Sequence, residues 1–494
     1  MSTVASGFGR GLALVLVVLA LPATCLGQQA AERLLLEAER SAQQGDLSSA
    51  LTDYEMVSRQ FPGTEVAGRA LMKMVAGKRL QGDLTGATQA CNRLIDDFPG
   101  TAYAAAGLFF MGEMQLDRAR KRDETLAARE TFRRIWVLFD PVTHPDLIYR
   151  AAARVRNAEL DIRAGDLESA ELSYLATLEG EPMSEWTMRA RLGLAGIYLD
   201  HGDWMLAAET LQQAINEATK LDFEAVADEA RVNLTLAHRL MLRPAAGAKR
   251  WQSGRKVRGV TPGKKPAGVA ATRDGRIVVV DEYPGSAVLL EGDTVVKSRS
   301  FKEAWRPFFT RDGKAWVPTG TVIWEVEDGE RRTYLGPSRT PIRRINGGAE
   351  GIYQWFTIEE KPNRVLTHRE ESRIDRTMPA SDPLDIASDG QGRLYVLSAS
   401  GVVRFNPAGD ASTRLISGGL SKPIALDVDP MGNVYVLDRG GRLDIFDTHG
   451  QKLESMGPSF PGGISLKSPV DVAVDGTGRI YLLDGKPSAL YVLE

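Results

Sequence analysis

The chain has 494 residues, room for about three domains with sizeable cores. Its 43% hydrophobic and 25% charged residues and its formal net charge of -3 are those of a soluble globular protein, and they exclude a global field for nucleic acid.

Residues 1–27 follow the plan of a secretory signal. Arg10 supplies the positive charge, residues 12–21 form an apolar run too short to span a bilayer, and Cys25-Leu26-Gly27 offers small residues for cleavage. The mature chain is expected to start near Gln28 and to be exported, to the periplasm of a bacterium or outside the cell. Acylation of Cys25 is the rival reading, but Pro22-Ala23-Thr24 makes a poor lipobox. No other stretch approaches ~20 apolar residues, so no transmembrane span is expected. With Cys25 removed, Cys91 is alone; no intramolecular disulfide or thiolate metal cluster can then form, and a buried, inert thiol is expected.

Residues 28–245 are rich in alanine, leucine and charged helix formers, and they repeat. Gln44-Gly-Asp-Leu-Ser-Ser-Ala50 with Phe61-Pro-Gly-Thr64 returns 37 residues later as Gln81-Gly-Asp-Leu-Thr-Gly-Ala87 with Phe98-Pro-Gly-Thr101. The same turn recurs at Gly165-Asp166 and Gly202-Asp203, again 37 apart. Glycine ends one helix and aspartate caps the next, so each turn predicts a helical hairpin. These units resemble tetratricopeptide repeats, in the slightly lengthened form of some exported bacterial outer-membrane assembly proteins. The packing positions match at Ala50, Tyr54, Val57 and Pro62, at Ala87, Cys91, Leu94 and Pro99, at Ala170, Tyr174 and Pro182, and at Ala207, Leu211 and Ala214. A unit between Thr101 and Asp140 lacks Gly-Asp and keeps Ala128, Phe132 and Ile135. Five hairpins and a cap helix over 222–242 are expected. The resemblance implies an α-solenoid whose concave groove binds a peptide or protein; a spacer without a ligand is the bland alternative.

Residues 246–265 are a basic hinge. From Arg231 to Arg273 there are eleven cations and no acid, and Pro244 with the small residues after it marks a domain boundary. Arg250, Arg255, Lys256, Arg258, Lys264 and Lys265 are the candidate contacts to an acidic protein surface or to anionic lipid headgroups of the envelope; a solvated linker and strand edge is the simpler reading.

Residues 266–494 carry a second ruler: a proline, a glycine nine residues on, and an aspartate six beyond that. It fits Pro266, Gly275 and Asp281, Pro423, Gly432 and Asp438, and Pro469, Gly478 and Asp484, and it fits Pro383 and Gly392 with Ser398 in the last place. Gly313 with Thr319 and Gly351 with Thr357 are weaker copies. Six units at a spacing of about 40 residues read as four-stranded blades. They resemble six-bladed NHL-type propellers, so the expected fold class is a multidomain α + β chain, an α-solenoid followed by an all-β propeller. Only three strands follow Pro469, and residues 255–260 are expected to supply the fourth and close the ring.

Metal-dependent lyases and hydrolases of the group that this half resembles carry histidines or a carboxylate cluster at the channel. Only His368 and His449 lie in this half, which argues against a histidine site. Asp385, Asp427 and Asp471 on the innermost strands are candidate ligands for calcium or magnesium at the channel mouth, against the commoner role of accepting backbone amides. Asp281, Asp438 and Asp484 recur at one blade position and are expected to bond turns. Trp305, Trp316, Trp324 and Trp355 cluster in the two divergent units; packing is the first reading and a partner platform, at Trp305 and Trp355, the second. No nucleotide loop, nucleophile elbow or metalloprotease helix motif occurs. The expected function is a non-enzymatic, cofactor-free scaffold for protein or peptide partners. A lactonase- or lyase-type enzyme with a divalent cation is the alternative, and a factor in envelope assembly or polysaccharide export is a third.

Overall fold

The computed structural model describes residues 21–118, 122–241, 250–310, 313–320, 322–333, 345–347, 355–359, 364–370, 373–406, 409 and 411–494. The chain divides into two compact units, Met1–Arg118 with Asp123–Asn157, and Ala119–Arg122 with Ala158–Glu494. The hinge around Pro244 is thus not where the packing divides, and the last helices group with the sheets. The first 20 residues of the expected signal lie outside the described residues.

Eleven α-helices are described: α1 (Leu21–Gln43), α2 (Leu47–Gln60), α3 (Glu65–Leu80), α4 (Leu84–Asp97), α5 (Ala102–Arg118), α6 (Arg122–Leu138), α7 (Ile148–Ala164), α8 (Leu167–Gly180), α9 (Glu185–His201), α10 (Trp204–Lys220) and α11 (Glu224–Leu240). The repeated Gly-Asp turns join α1 to α2, α3 to α4, α7 to α8 and α9 to α10. Their glycines are left-handed, with φ of +86° at Gly45, +74° at Gly82, +81° at Gly165 and +84° at Gly202. Asp46, Asp83 and Asp166 each accept the backbone N–H three residues on, at 3.0, 2.8 and 3.1 Å. Asp203 begins α10 without such a bond. The small and bulky positions read from the repeat are buried: Ala50, Tyr54, Val57, Ala87, Cys91 and Leu94 in the first unit, and Ala170, Tyr174, Ala207, Leu211 and Ala214 in the second. Burial pushes the Cys91 thiol up to about 12, which keeps it protonated and inert. No helix among the described residues is long and apolar enough to cross a membrane.

The strands form a β-propeller. Five four-stranded antiparallel sheets are described over most of their length, in 266–301, 308–333, 383–417, 423–456 and 469–493, the last completed from upstream. Ile345–Gly347, Trp355–Glu359, Arg364–Glu370 and Arg373–Pro379 pair as a further four-stranded sheet, most of whose side chains lie outside the described residues, and the expected count of six blades rests on it. The first strands of the sheets stand beside one another in a ring, and Pro469–Val474 returns to Pro266–Ala271. The ruler now has a physical meaning. Proline opens the innermost strand, glycine turns the first hairpin, and the aspartate closes the second strand directly opposite the proline, as in Pro266↔Asp281, Pro423↔Asp438 and Pro469↔Asp484. A register shift follows the proline in each of these pairs and in Pro383↔Ser398, so the ladder is re-aligned next to a residue that has no N–H to give it.

Gly254–Lys256 supplies the outer strand of the last sheet, with Gly254↔Leu493, Arg255↔Val492 and Lys256↔Tyr491 in register. Pairing is shorter than the 255–260 expected. The Val257 N–H still reaches Leu490 O at 2.9 Å, but Gly259 takes φ +81° and turns the chain away. Within the same unit α11 lies on the propeller. Arg239 and Trp251 both donate to Gly478 O, at 2.9 and 2.7 Å, and Leu199, Leu236 and Ala237 pack with Met431.

Candidate functional site at the propeller channel

The innermost strands place Asp385, Asp427 and Asp471 at the centre of the ring, and each carboxylate first serves its neighbour. Asp385 accepts Leu426 N–H at 2.8 Å, Asp427 accepts Val474 N–H at 2.8 Å, and Asp471 accepts Val269 N–H at 2.9 Å. The backbone amides that face the channel have no ladder partner on that side, so these acids satisfy donors that burial would otherwise orphan. Each bond also ties one blade to the next.

A cation already stands among them. Arg306, in the irregular segment before Phe308–Phe309, is only 7% exposed. Its Nε donates to Asp471 at 2.8 Å, its Nη1 donates to Asp385, and its Nη2 reaches Leu426 O at 3.0 Å and Val472 O at 3.4 Å. A planar guanidinium is suited to this fork of acceptors in a way that a point charge is not. Burial alone would lower the basicity of Arg306, yet the Asp385, Asp471 and Asp427 carboxylates outweigh it and hold the group above its ordinary range. Asp427 has the opposite balance. Burial pushes its carboxyl up to about 7, against the pull of Arg306 and of the Val474 amide.

A calcium or magnesium ion needs about six or more oxygen ligands converging on one point. Here a guanidinium fills the space between Asp385 and Asp471, and no group of three or more His, Cys, Asp or Glu poised around a metal is found among the described residues. These side chains do not fit a divalent cation. Sequence reasoning brought the three acids together and missed Arg306. Its signal was faint, an arginine just ahead of the divergent second unit and outside the register of the ruler.

Above this centre lies a cavity of about 620 Å³. It is lined by Arg306 and Asp427, by Thr272, Phe309 and Ser388, and by Arg189 of α9 and Glu229 of α11. Around it the first hairpin of three blades is locked by one device. Asp389 binds Arg393 Nε and Tyr395 Oη at 2.6 and 2.9 Å, Asp429 binds Asn433 Nδ2 and Tyr435 Oη at 2.8 and 3.2 Å, and Asp475 binds Arg479 Nε and Tyr481 Oη at 2.7 and 3.1 Å. The blade-closing acids likewise bond backbone: Asp281 accepts Gly263 N–H at 2.7 Å, Asp438 accepts Arg442 N–H at 2.8 Å, and Asp484 accepts Lys467 and Ser468 N–H at 2.9 and 2.6 Å.

The basic hinge splits in two. Arg250 is turned inward onto Glu454 at 2.9 Å and the carbonyls of Leu240 and Leu453, where it fixes the end of α11. Arg255 pairs with Asp293 at 2.9 Å and Glu494 at 3.4 Å. Lys256, Arg258, Lys264 and Lys265 are exposed. Trp305 is half-buried and its backbone N–H is held by Pro318 O at 3.0 Å, whereas the side chain of Trp355 lies outside the described residues.

No protein-family model matches the sequence, and no curated protein matches it. Among solved structures the chain is similar to the WD40 β-propeller domain of Doa1, with 10% identity over 46% of this chain and 78% of that one at a TM-score of 0.37. It is similar to a gluconolactonase of Xanthomonas campestris, with 14% identity over 51% of this chain and 98% of that one at 0.38. It is also similar to the calcium-binding protein regucalcin of Agrobacterium tumefaciens strain C58, with 12% identity over 49% and 93% at 0.38.

Proposed function

We propose that this chain is an exported, non-enzymatic scaffold in which a tetratricopeptide-like array and a six-bladed NHL-type propeller each present a docking face to protein or peptide partners. The observation that carries the reading is Arg306. An enzyme that polarises its substrate with a divalent cation needs the channel acids free to ligate it, and here a side chain of the same chain neutralises two of the three. Two binding modules on one chain raise the effective concentration of whatever they join. The chain's place in the envelope rests on the signal-like residues 1–27 and is tested by sequencing the amino terminus of the native protein, expected at Gln28.

A lactonase- or lyase-type enzyme remains the second reading, favoured by the cavity over Asp427. Calorimetric titration of calcium and of magnesium into the full chain separates the two. The scaffold reading expects no stoichiometric site, and a single site abolished by Asp471→Ala would transfer support to the enzyme.

A further inference from the structure

We infer that the loop 256–265 is a preorganised docking surface for an acidic, extended segment of a protein partner, an inference that rests on the scaffold reading and gives its propeller face a ligand chemistry. Of the nine described cations between Arg231 and Arg273, five are committed internally: Arg231 to Glu224 and Asp228, Arg239 to Gly478 O, Arg250 to Glu454, Arg255 to Asp293, and Arg273 to Glu229. Lys256, Arg258, Lys264 and Lys265 are the remainder. All four side chains are exposed, and none forms an ion pair among the described residues.

A solvated linker would leave them on a mobile chain. This loop is pinned instead. Val257 and Val260 are 2% and 6% exposed in the core beneath it. Val257 N–H donates to Leu490 O at 2.9 Å, Arg258 N–H to Asp293 Oδ1 at 3.2 Å and Gly263 N–H to Asp281 Oδ1 at 2.7 Å, while Lys265 O accepts Glu282 N–H at 2.8 Å. Four attachments to three different parts of the propeller fix the backbone, so a partner that binds here has little loop to order. Asp293 is held by Arg255 and lies within the field of Arg258, Asp281 binds Ser286, and Glu494 pairs with Arg255; the half-buried Glu282 is a further carboxylate at the loop.

The occupant follows from this layout. The cations are strung along ten residues and do not line the channel cavity, which suits an extended run of carboxylates better than one compact anion. Next in the chain after Glu282, whose N–H binds Lys265 O, is Tyr283, 64% exposed, an anchor for a peptide. A lipid surface is the less suited partner, because no amphipathic helix accompanies the cations.

The test uses the full chain and a fluorescein-labelled dodecapeptide of alternating glutamate and serine. The wild type is compared with a variant carrying Lys256→Glu, Arg258→Glu, Lys264→Glu and Lys265→Glu, whose fold is checked by near-ultraviolet circular dichroism; Lys264→Gln with Lys265→Gln replaces it if that variant does not fold. Because exposed charges are screened within about 8 Å at physiological salt, peptide binding is expected to weaken about tenfold or more between about 0.05 and 0.5 M NaCl. It is expected to weaken about as much in the reversed variant. Equal affinity in both proteins, no binding to the wild type, or capture by vesicles of anionic phospholipid without binding of the peptide would each overturn the assignment. None of these outcomes touches the scaffold reading, which stands or falls on the cation titration.

Discussion

At the scale of single residues the channel is an electrostatic balance struck around a buried guanidinium. Removing one partner of a buried ion pair costs about 3–5 kcal/mol, because the other charge is left uncompensated, whereas replacing the whole set with neutral groups costs far less. Arg306→Ala is therefore expected to lose stability on that scale in urea unfolding. Arg306→Met combined with Asp385→Asn and Asp471→Asn should recover a large part of the loss, and failure to recover would mean that shape rather than charge holds the centre. Asp427 gives a pH dependence of definite sign. Its carboxyl titrates at about 7 in the folded chain and near 3.9 in an unfolded one. Between these values the native state holds a proton that the unfolded state has released, so Asp427 makes stability fall as pH rises from about 4 to about 7, with no further change above. Asp429, pushed up to about 6 by burial, acts in the same sense. Asp427→Asn should flatten part of this slope and raise stability at pH 8 by on the order of 1–2 kcal/mol, allowing for its partial exposure to the cavity. A slope equal to that of the wild type across a urea series would contradict the assignment.

At the scale of the elements, what could be read in advance was whatever repeats. The Gly-Asp turns located the joints of four hairpins because the requirement is local, a left-handed residue at all four and a side-chain cap at three. The Pro-Gly-Asp ruler located three blades for a similar reason, since proline and aspartate face each other across one strand pair. The same logic predicts which glycines tolerate a methyl group. A Cβ on Gly193 of α9 would lie 2.3 Å from the Tyr174 ring, so Gly193→Ala forces two packed helices apart and is expected to cost about 1–3 kcal/mol. Gly180, at the end of α8, has nothing within 4 Å of such a carbon, and Gly180→Ala is expected to stabilise by up to about 1 kcal/mol. Thermal melts of the two variants in opposite directions would verify the contrast. Stabilisation by both would show that helix propensity outweighs packing here.

At the scale of the molecule the boundary was the part that could not be read. Pro244 and the small residues after it punctuate the chain as a linker does, but contacts that do not repeat decide where a domain ends. Leu236 and Ala237 of α11 pack with Met431, Arg239 and Trp251 share Gly478 O, and Leu240 and Trp251 belong to the same core as Tyr435 and Leu482. Arg306 was hidden for the same reason, as a residue outside the repeat that completes a site made by repeats. A propeller cut at residue 246 would therefore keep its sheets but expose Met431 and leave Trp251 without the cover of Leu240. Surface of that kind binds hydrophobic dyes and promotes association. A fragment of residues 158–494 is expected to stay monomeric and unfold in one transition, whereas 246–494 should bind anilinonaphthalene sulfonate and melt several degrees lower, about 2–4 °C for each kcal/mol lost in a domain of this size. Equal melting temperatures and equal dye binding would mean that the helices only rest on the propeller. The two halves could then be assayed separately as baits. The packing predicts instead that partner capture with 246–494 alone would report on a damaged surface, and that 158–494 is the smallest piece on which the propeller face should be tested.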